Sequence, residues 1–199
     1  MVFKTKLCNI EIEIMLILTI LTSIISKTIF KFLYYFFACY LFILFHELMH
    51  ILVGSLLDKK LIKVKFSIAG TCAVFEKENY IKDKGIFLKN IFIYLSGPVS
   101  NIILTFTFYD NIMIREINMF LAVVNLLPIY PLDGYNILLN SLKLIINEKN
   151  ADIIIDKIGN MVIILIVAIS IYQIMEFKKI TITIFCIYLF LLKITKKSI

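Results

Sequence analysis

Long apolar runs dominate this 199-residue chain and limit what it can fold into. A helix needs about 20 apolar residues to cross a bilayer, where hydrocarbon offers no hydrogen-bonding partner to the backbone. Hydrophobic residues make up 61% of the sequence and charged residues only 18%. Soluble globular domains carry about 25% charged residues. These proportions exclude a soluble enzyme and predict an all-α polytopic membrane protein.

Charged residues divide the apolar runs into six predicted transmembrane spans. The spans cover residues 12–26, 29–57, 86–109, 117–144, 161–175 and 180–192. Pro128 and Pro131 interrupt the fourth span. In the polar segment 58–85, residues 62–68 alternate apolar and polar side chains, which predicts a strand, and residues 73–75 suggest a second one. We therefore expect a small β-hairpin on the cytoplasmic side of the membrane.

The distribution of basic residues predicts the orientation of these spans. With a cytoplasmic N-terminus, 16 of the 21 lysine and arginine residues fall in cytoplasmic segments. Membrane proteins concentrate positive charge on that side. We therefore predict a multi-pass integral membrane protein with both termini in the cytoplasm. Because the net charge of +7 reflects lysines that flank spans, we expect the lipid bilayer as a partner and no nucleic acid.

The most informative ionisable residues lie inside the second span, where charge is costly. His46, Glu47 and His50 form the pattern H-E-x-x-H, and the chain has no other histidine. Residues four apart share one face of a helix, so both imidazoles could bind one metal ion. The adjacent glutamate suits a general base that acts on a metal-activated water. The alternative is a pair of structural histidines packed between helices.

A second polar cluster, residues 125–134, offers a further metal ligand. Catalytic zinc sites use three protein ligands, so the two histidines leave the third protein ligand unassigned. Asp133 follows the two prolines, and irregular backbone at membrane depth is tolerated only beside protein or water. A carboxylate in such a place suits a ligand that faces a wet cavity. The alternative is an ordinary loop in which Asp133 caps the following helix.

Three motifs in this order resemble the site-2 protease family of intramembrane zinc metalloproteases. The resemblance covers roughly residues 29–144 and begins with the H-E-x-x-H helix. The family's G-P-x-x-N element matches Gly97, Pro98 and Asn101. Its N-x-x-P-x-x-P-x-D-G element matches Asn125, Pro128, Pro131, Asp133 and Gly134.

This resemblance implies an activity and a role for each site residue. It implies one Zn²⁺ per chain bound by His46, His50 and Asp133, with Glu47 as the catalytic residue. Asn125 and Pro128 would position the substrate, a membrane-associated or transmembrane protein. Regulatory membrane proteins are further expected partners. Met49 departs from the glycine that the family often has at this position.

The resemblance also implies a domain organisation. We expect one membrane-embedded protease domain over residues 1–199, with a three-helix catalytic core at about 29–144 and no C-terminal CBS domain. The compact layout is most similar to the branch of the family that processes a sporulation sigma factor.

Two other functions stay open from the sequence. A metal-ion transporter would also use buried histidine and aspartate, but it would need polar residues along several helices. The third, fifth and sixth predicted spans contain almost no ionisable residue. A catalytically silent membrane scaffold would have no use for Glu47.

Overall fold

A computed structural model describes most of the chain. The described residues are 2–4, 9–12, 30–59, 61–67, 70–75, 84–178, 182–183, 186–187 and 189–190. They are mostly helical, as the sequence predicts. The first predicted span falls almost entirely outside the described residues, and so does much of the sixth.

Five helices are described in full. They are α1 (Phe30–Leu56), α2 (Lys84–Thr107), α3 (Ile112–Asn125), α4 (Asp133–Ile145) and α5 (Glu148–Phe177). Among the described residues, three helical segments are long and apolar enough to cross a membrane: Tyr34–Leu56, Lys84–Thr107 and Glu148–Phe177. These segments match the second, third and fifth predicted spans, which supports a membrane protein. The count of six spans and the orientation of the termini stay predictions.

The fourth predicted span consists of two short helices. The α3 and α4 helices have 14 and 13 residues. Each is therefore shorter than the about 20 residues that a perpendicular crossing requires. The segment 126–132 between them contains both prolines, and the Tyr130–Pro131 peptide bond is cis. A proline ring prevents regular helical hydrogen bonding, so the predicted interruption of the helix is present.

The described strands form one four-stranded sheet in the order β1-β2-β3-β4. The strands are β1 (Val2–Lys4), β2 (Asn9–Ile12), β3 (Leu61–Ser67) and β4 (Gly70–Phe75). The β3 and β4 strands pair antiparallel, from Ser67 opposite Gly70 to Leu61 opposite Phe75. The position of this pair at the cytoplasmic membrane surface stays a prediction.

The two N-terminal strands were not predicted from the sequence. The β2 strand pairs with β3 in parallel, with Asn9 opposite Lys63 and Ile12 opposite Phe66. Ile12, which the sequence placed at the start of the first span, therefore ends a strand. Strands of three and four residues carry too little alternation to be recognised, and the pairing partner lies more than 50 residues away.

The chain forms two compact units. The first comprises Met1–Lys82 and Ser96–Ala122, and the second comprises Asp83–Leu95 and Val123–Ile199. The α2 helix contributes residues to both. In the second unit, Ile129 from the proline-containing segment packs in a buried cluster with Ile163 and Leu189. The first unit contains the H-E-x-x-H motif.

Candidate metal centre

The α1 helix brings the two histidines together in the first unit. His46 and His50 are both buried. Their Nε2 atoms lie 3.1 Å apart, and the two rings are nearly perpendicular. Two nitrogens bound to one tetrahedral zinc ion at about 2.0–2.1 Å would be about 3.3 Å apart. The spacing of the histidine nitrogens therefore fits a shared metal ion.

Glu47 extends this pair to a cluster of three possible ligands. One carboxylate oxygen of Glu47 and one ring nitrogen of each histidine all lie within 4.8 Å of one another. Glu47 is partly buried, between the two buried histidines in sequence. A carboxylate at this distance can reach a water molecule held beside the two imidazoles.

Gly97 of α2 lies directly against the two imidazole nitrogens. A Cβ atom at residue 97 would lie 2.5 Å from the Nε2 of His46 and 2.5 Å from the Nε2 of His50. No packed carbon approaches other atoms so closely. Any side chain at residue 97 would therefore collide with the two imidazoles that could share an ion. The spacing of the donor pair fits a metal ion, and the glycine of G-P-x-x-N permits the close approach of α2 to this pair.

The other ring nitrogen of His46 is held by an amide. His46 Nδ1 lies 2.5 Å from Oδ1 of Asn101, which is fully buried on α2. An amide oxygen only accepts hydrogen bonds, so Nδ1 donates and the proton of the neutral ring resides there. Nε2 of His46 then presents a lone pair, as in histidines that bind metal through Nε2.

His50 has a different partner at its Nδ1. Ser96 Oγ lies 3.3 Å from this atom. A hydroxyl group can either donate or accept, so Ser96 can support both neutral forms of the ring. When Nε2 of His50 carries the proton and donates to His46, Ser96 can donate to Nδ1. When Nε2 binds an ion, Nδ1 carries the proton and Ser96 can accept from it.

Asp133, Asn125 and Pro128 all belong to the second unit. Asp133 is the first residue of α4, and Leu132 occupies the N-cap without a side-chain capping bond. The segment 126–132 is therefore a loop between two short helices, as that alternative expects, but the N-cap position lies one residue before Asp133. The roles of these three residues in binding metal or substrate stay predictions.

Gly134 explains the last position of the proline-containing motif. A Cβ atom at residue 134 would clash with the backbone carbonyl of Leu126. The segment that follows α3 therefore runs directly against the start of α4, and only glycine permits this approach.

Sequence reasoning missed Asn118 of α3. Its side chain is fully buried and accepts a hydrogen bond from Nδ2 of Asn101 at 2.8 Å. The signal available in the sequence was a polar amide inside the apolar run Ile117 to Leu121. Its partner lies 17 residues earlier, so the signal did not indicate what the amide binds.

The fold and the site together define a helical membrane protein with a buried histidine–glutamate cluster suited to metal. The Site-2 Protease from Methanocaldococcus jannaschii has a similar structure, with a TM-score of 0.62 and 22% sequence identity. The similarity covers 94% of this chain and 90% of that chain. It shows that the two proteins share a fold. No protein-family model and no curated protein sequence matches this chain.

Proposed function

We propose that this protein is an intramembrane zinc metalloprotease of the site-2 protease family. The observation that carries the proposal is the pair of Nε2 atoms 3.1 Å apart, with a Glu47 oxygen nearby and Gly97 packed directly against the two rings. These residues lie on helices apolar and long enough to cross a membrane. The fold shared with the Site-2 Protease from Methanocaldococcus jannaschii supports the same conclusion.

His46 and His50 would hold zinc through their Nε2 atoms, and the motif match makes Asp133 the third ligand. Bound zinc supplies a Lewis acid that polarises the peptide carbonyl and makes water nucleophilic near neutral pH. Glu47 accepts the proton of the attacking water and delivers it to the departing amine. Asn125 and Pro128 would receive the substrate segment.

The substrate must unwind before it can be cleaved. A peptide bond in a membrane helix is shielded because its backbone groups bond within the helix. The β4 strand stands at one end of the described sheet, and an edge strand can pair with an extended peptide. The sheet would therefore hold the unwound segment by backbone hydrogen bonds.

The substrate proposed here is a membrane-associated protein whose product is released into the cytoplasm. In the predicted orientation, His50 is about 8 residues from the cytoplasmic end of its span, or roughly 12 Å at 1.5 Å per residue. A transcription factor such as a sporulation sigma factor with its pro-sequence fits this geometry. This substrate follows from the resemblance of the compact layout to stage IV sporulation protein FB. Inhibitory or regulatory membrane proteins are proposed as further partners.

The substitution Glu47→Gln tests the proposed activity. We expect it to keep one zinc per chain and to lower cleavage by about 10²–10⁴-fold, because it removes the general base and leaves the ligands in place. The measurement is cleavage of a co-expressed membrane-tethered transcription factor, together with the zinc content of the purified protein.

Glu148→Gln is the matched control for this substitution. Glu148 begins α5, and its half-exposed carboxylate lies 3.9 Å from Nζ of the partly buried Lys143, at the limit of an ion pair. Exposed pairs contribute little, so cleavage should stay at the wild-type rate. Equal cleavage by wild type and Glu47→Gln would refute the role of Glu47. Metal flux through vesicles without cleavage would instead favour a transporter.

A further inference from the structure

A series of hydrogen bonds connects His46 to a backbone carbonyl on another helix of the first unit. Nδ2 of Asn118 donates to the carbonyl oxygen of Ile114 at 2.8 Å. Oδ1 of Asn118 accepts from Nδ2 of Asn101 at 2.8 Å. Oδ1 of Asn101 in turn faces Nδ1 of His46. The series runs from α3 through α2 to α1, and both asparagines are fully buried.

The carbonyl of Ile114 determines the direction of every bond in this series. A carbonyl oxygen can only accept, so Asn118 must turn its NH₂ group towards Ile114. Its oxygen is then left for Asn101, which must turn its own NH₂ group towards Asn118. Reversing either amide would place two acceptors or two donors face to face in a buried site.

Asn101 by itself would not fix which end of its amide group faces His46. The two ends of an amide have nearly the same shape, and an unanchored Asn101 could offer His46 either its oxygen or its NH₂ group. The NH₂ group would favour the ring form with the proton on Nε2, which cannot bind metal through that atom. The partner on the far side of Asn101 therefore decides whether Nε2 of His46 carries the proton or a lone pair.

We propose that Asn118 is a positioning residue that acts through Asn101 to keep the lone pair of His46 Nε2 directed at the metal position. This inference rests on the proposed function only in taking zinc as the ion. The hydrogen-bond polarity that it assigns to His46 exists in the metal-free protein as well. Asn118 does not contact the reacting atoms, so its effect reaches chemistry only through His46.

The second unit contains a matched control pair. Asn140 donates to the carbonyl oxygen of Asn136 at 2.7 Å and accepts from Nδ2 of Asn90 at 3.1 Å. Asn140 is also buried, and its bonds repeat those of Asn118, including the carbonyl four residues earlier. Both histidines of the chain lie in the first unit, whereas this pair joins two asparagines of the second unit. Asn118→Leu and Asn140→Leu therefore remove the same bonds.

The first measurement is zinc affinity of the purified full-length protein in competition with a chelator. Asn118→Leu should weaken zinc binding by about 10–100-fold, the usual effect of losing an outer-shell partner of a metal ligand. Asn140→Leu should change it by less than about threefold, although both variants lose stability by similar amounts. Equal weakening by the two variants would overturn the inference, because it would reflect stability alone.

The second measurement reports on His46 directly. With only two histidines in the chain, ¹⁵N-histidine NMR of the metal-free protein can resolve both rings. We expect a proton on Nδ1 of His46 in wild type and Asn140→Leu, and a mixture of ring forms in Asn118→Leu. An unchanged His46 spectrum in Asn118→Leu would overturn the inference.

A second variant covers the case in which Asn118→Leu does not fold. In Asn118→Thr the hydroxyl can still donate to the Ile114 carbonyl four residues earlier, but it is too short to reach Asn101. The same mixture of ring forms is expected. A protein that binds zinc with the expected His46 spectrum but cleaves nothing would refute the protease and leave this inference standing.

Discussion

The two compact units each contain an asparagine pair of the same construction, fully buried in the first and partly buried in the second, yet the pairs have different further contacts. In both, one amide donates to the carbonyl four residues earlier and accepts from an asparagine of α2. In the first unit, the α2 asparagine continues to His46, whereas Asn90 of the second unit meets no histidine of its own unit. The same pair of hydrogen bonds therefore leads to a histidine in one unit and joins helices in the other.

The glycines of the two motifs differ in the same way. Gly97 lies against the Nε2 atoms of both histidines, so the absent side chain lets α2 approach the candidate metal ligands. Gly134 leaves space for the backbone carbonyl of Leu126, so the absent side chain makes room for the chain itself. The glycine of the first unit thus faces two side chains, while the glycine of the second unit faces the backbone.

Alanine at these two glycines should give the largest difference between the units. Gly97→Ala should abolish zinc binding, because the new methyl group would occupy the space beside the two Nε2 atoms. Gly134→Ala should instead lower the free energy of unfolding by about 1–3 kcal/mol through overpacking. Zinc stoichiometry and thermal unfolding in detergent measure the two effects. Full zinc binding by Gly97→Ala would remove the basis for the comparison.

The substitution Asp133→Asn tests whether a residue of the second unit binds the metal ion. If Asp133 is the third ligand, zinc affinity should fall by about 100-fold or more, beyond what outer-shell changes usually cost. Asp156→Asn is the control in the same unit, since Asp156 accepts a hydrogen bond from the Tyr135 hydroxyl at 3.3 Å. Chelator competition measures both. Equal zinc affinities for the two variants would exclude Asp133 as a ligand.

Ser96→Ala should have the smallest effect. Its hydroxyl is the partner of His50 Nδ1, and one neutral hydrogen bond contributes about 0.5–1.5 kcal/mol, or roughly two- to tenfold in zinc affinity. Ser170→Ala is the control, because Ser170 is buried in the second unit and bonds to Thr183 at 2.8 Å. Isothermal titration would detect the difference. A larger loss of zinc affinity for Ser96→Ala than for Asn118→Leu would show that zinc binding depends more on the hydrogen bond to His50 than on the one to His46.

Much of the fold followed from local patterns. Apolar runs predicted α1 and α2 to within about two residues, but α5 begins 13 residues before the predicted fifth span. The two prolines predicted the break between α3 and α4. The pairing of β2 with β3 did not follow, because it joins short segments far apart in the chain. The helical spacing of His46 and His50 predicted that the imidazoles meet, and the structure brings their Nε2 atoms together.

The sequence by itself determined which residues share one face of α1, since a spacing of four residues is a property of a single helix. Only the tertiary structure decided that Gly97 faces those imidazoles and that Asn118 reaches His46 through Asn101. The direction of these hydrogen bonds depends on contacts between helices, and the residue spacing within a single helix does not indicate those contacts. The identity of the possible ligands is therefore local, while the orientation of His46 depends on three packed helices.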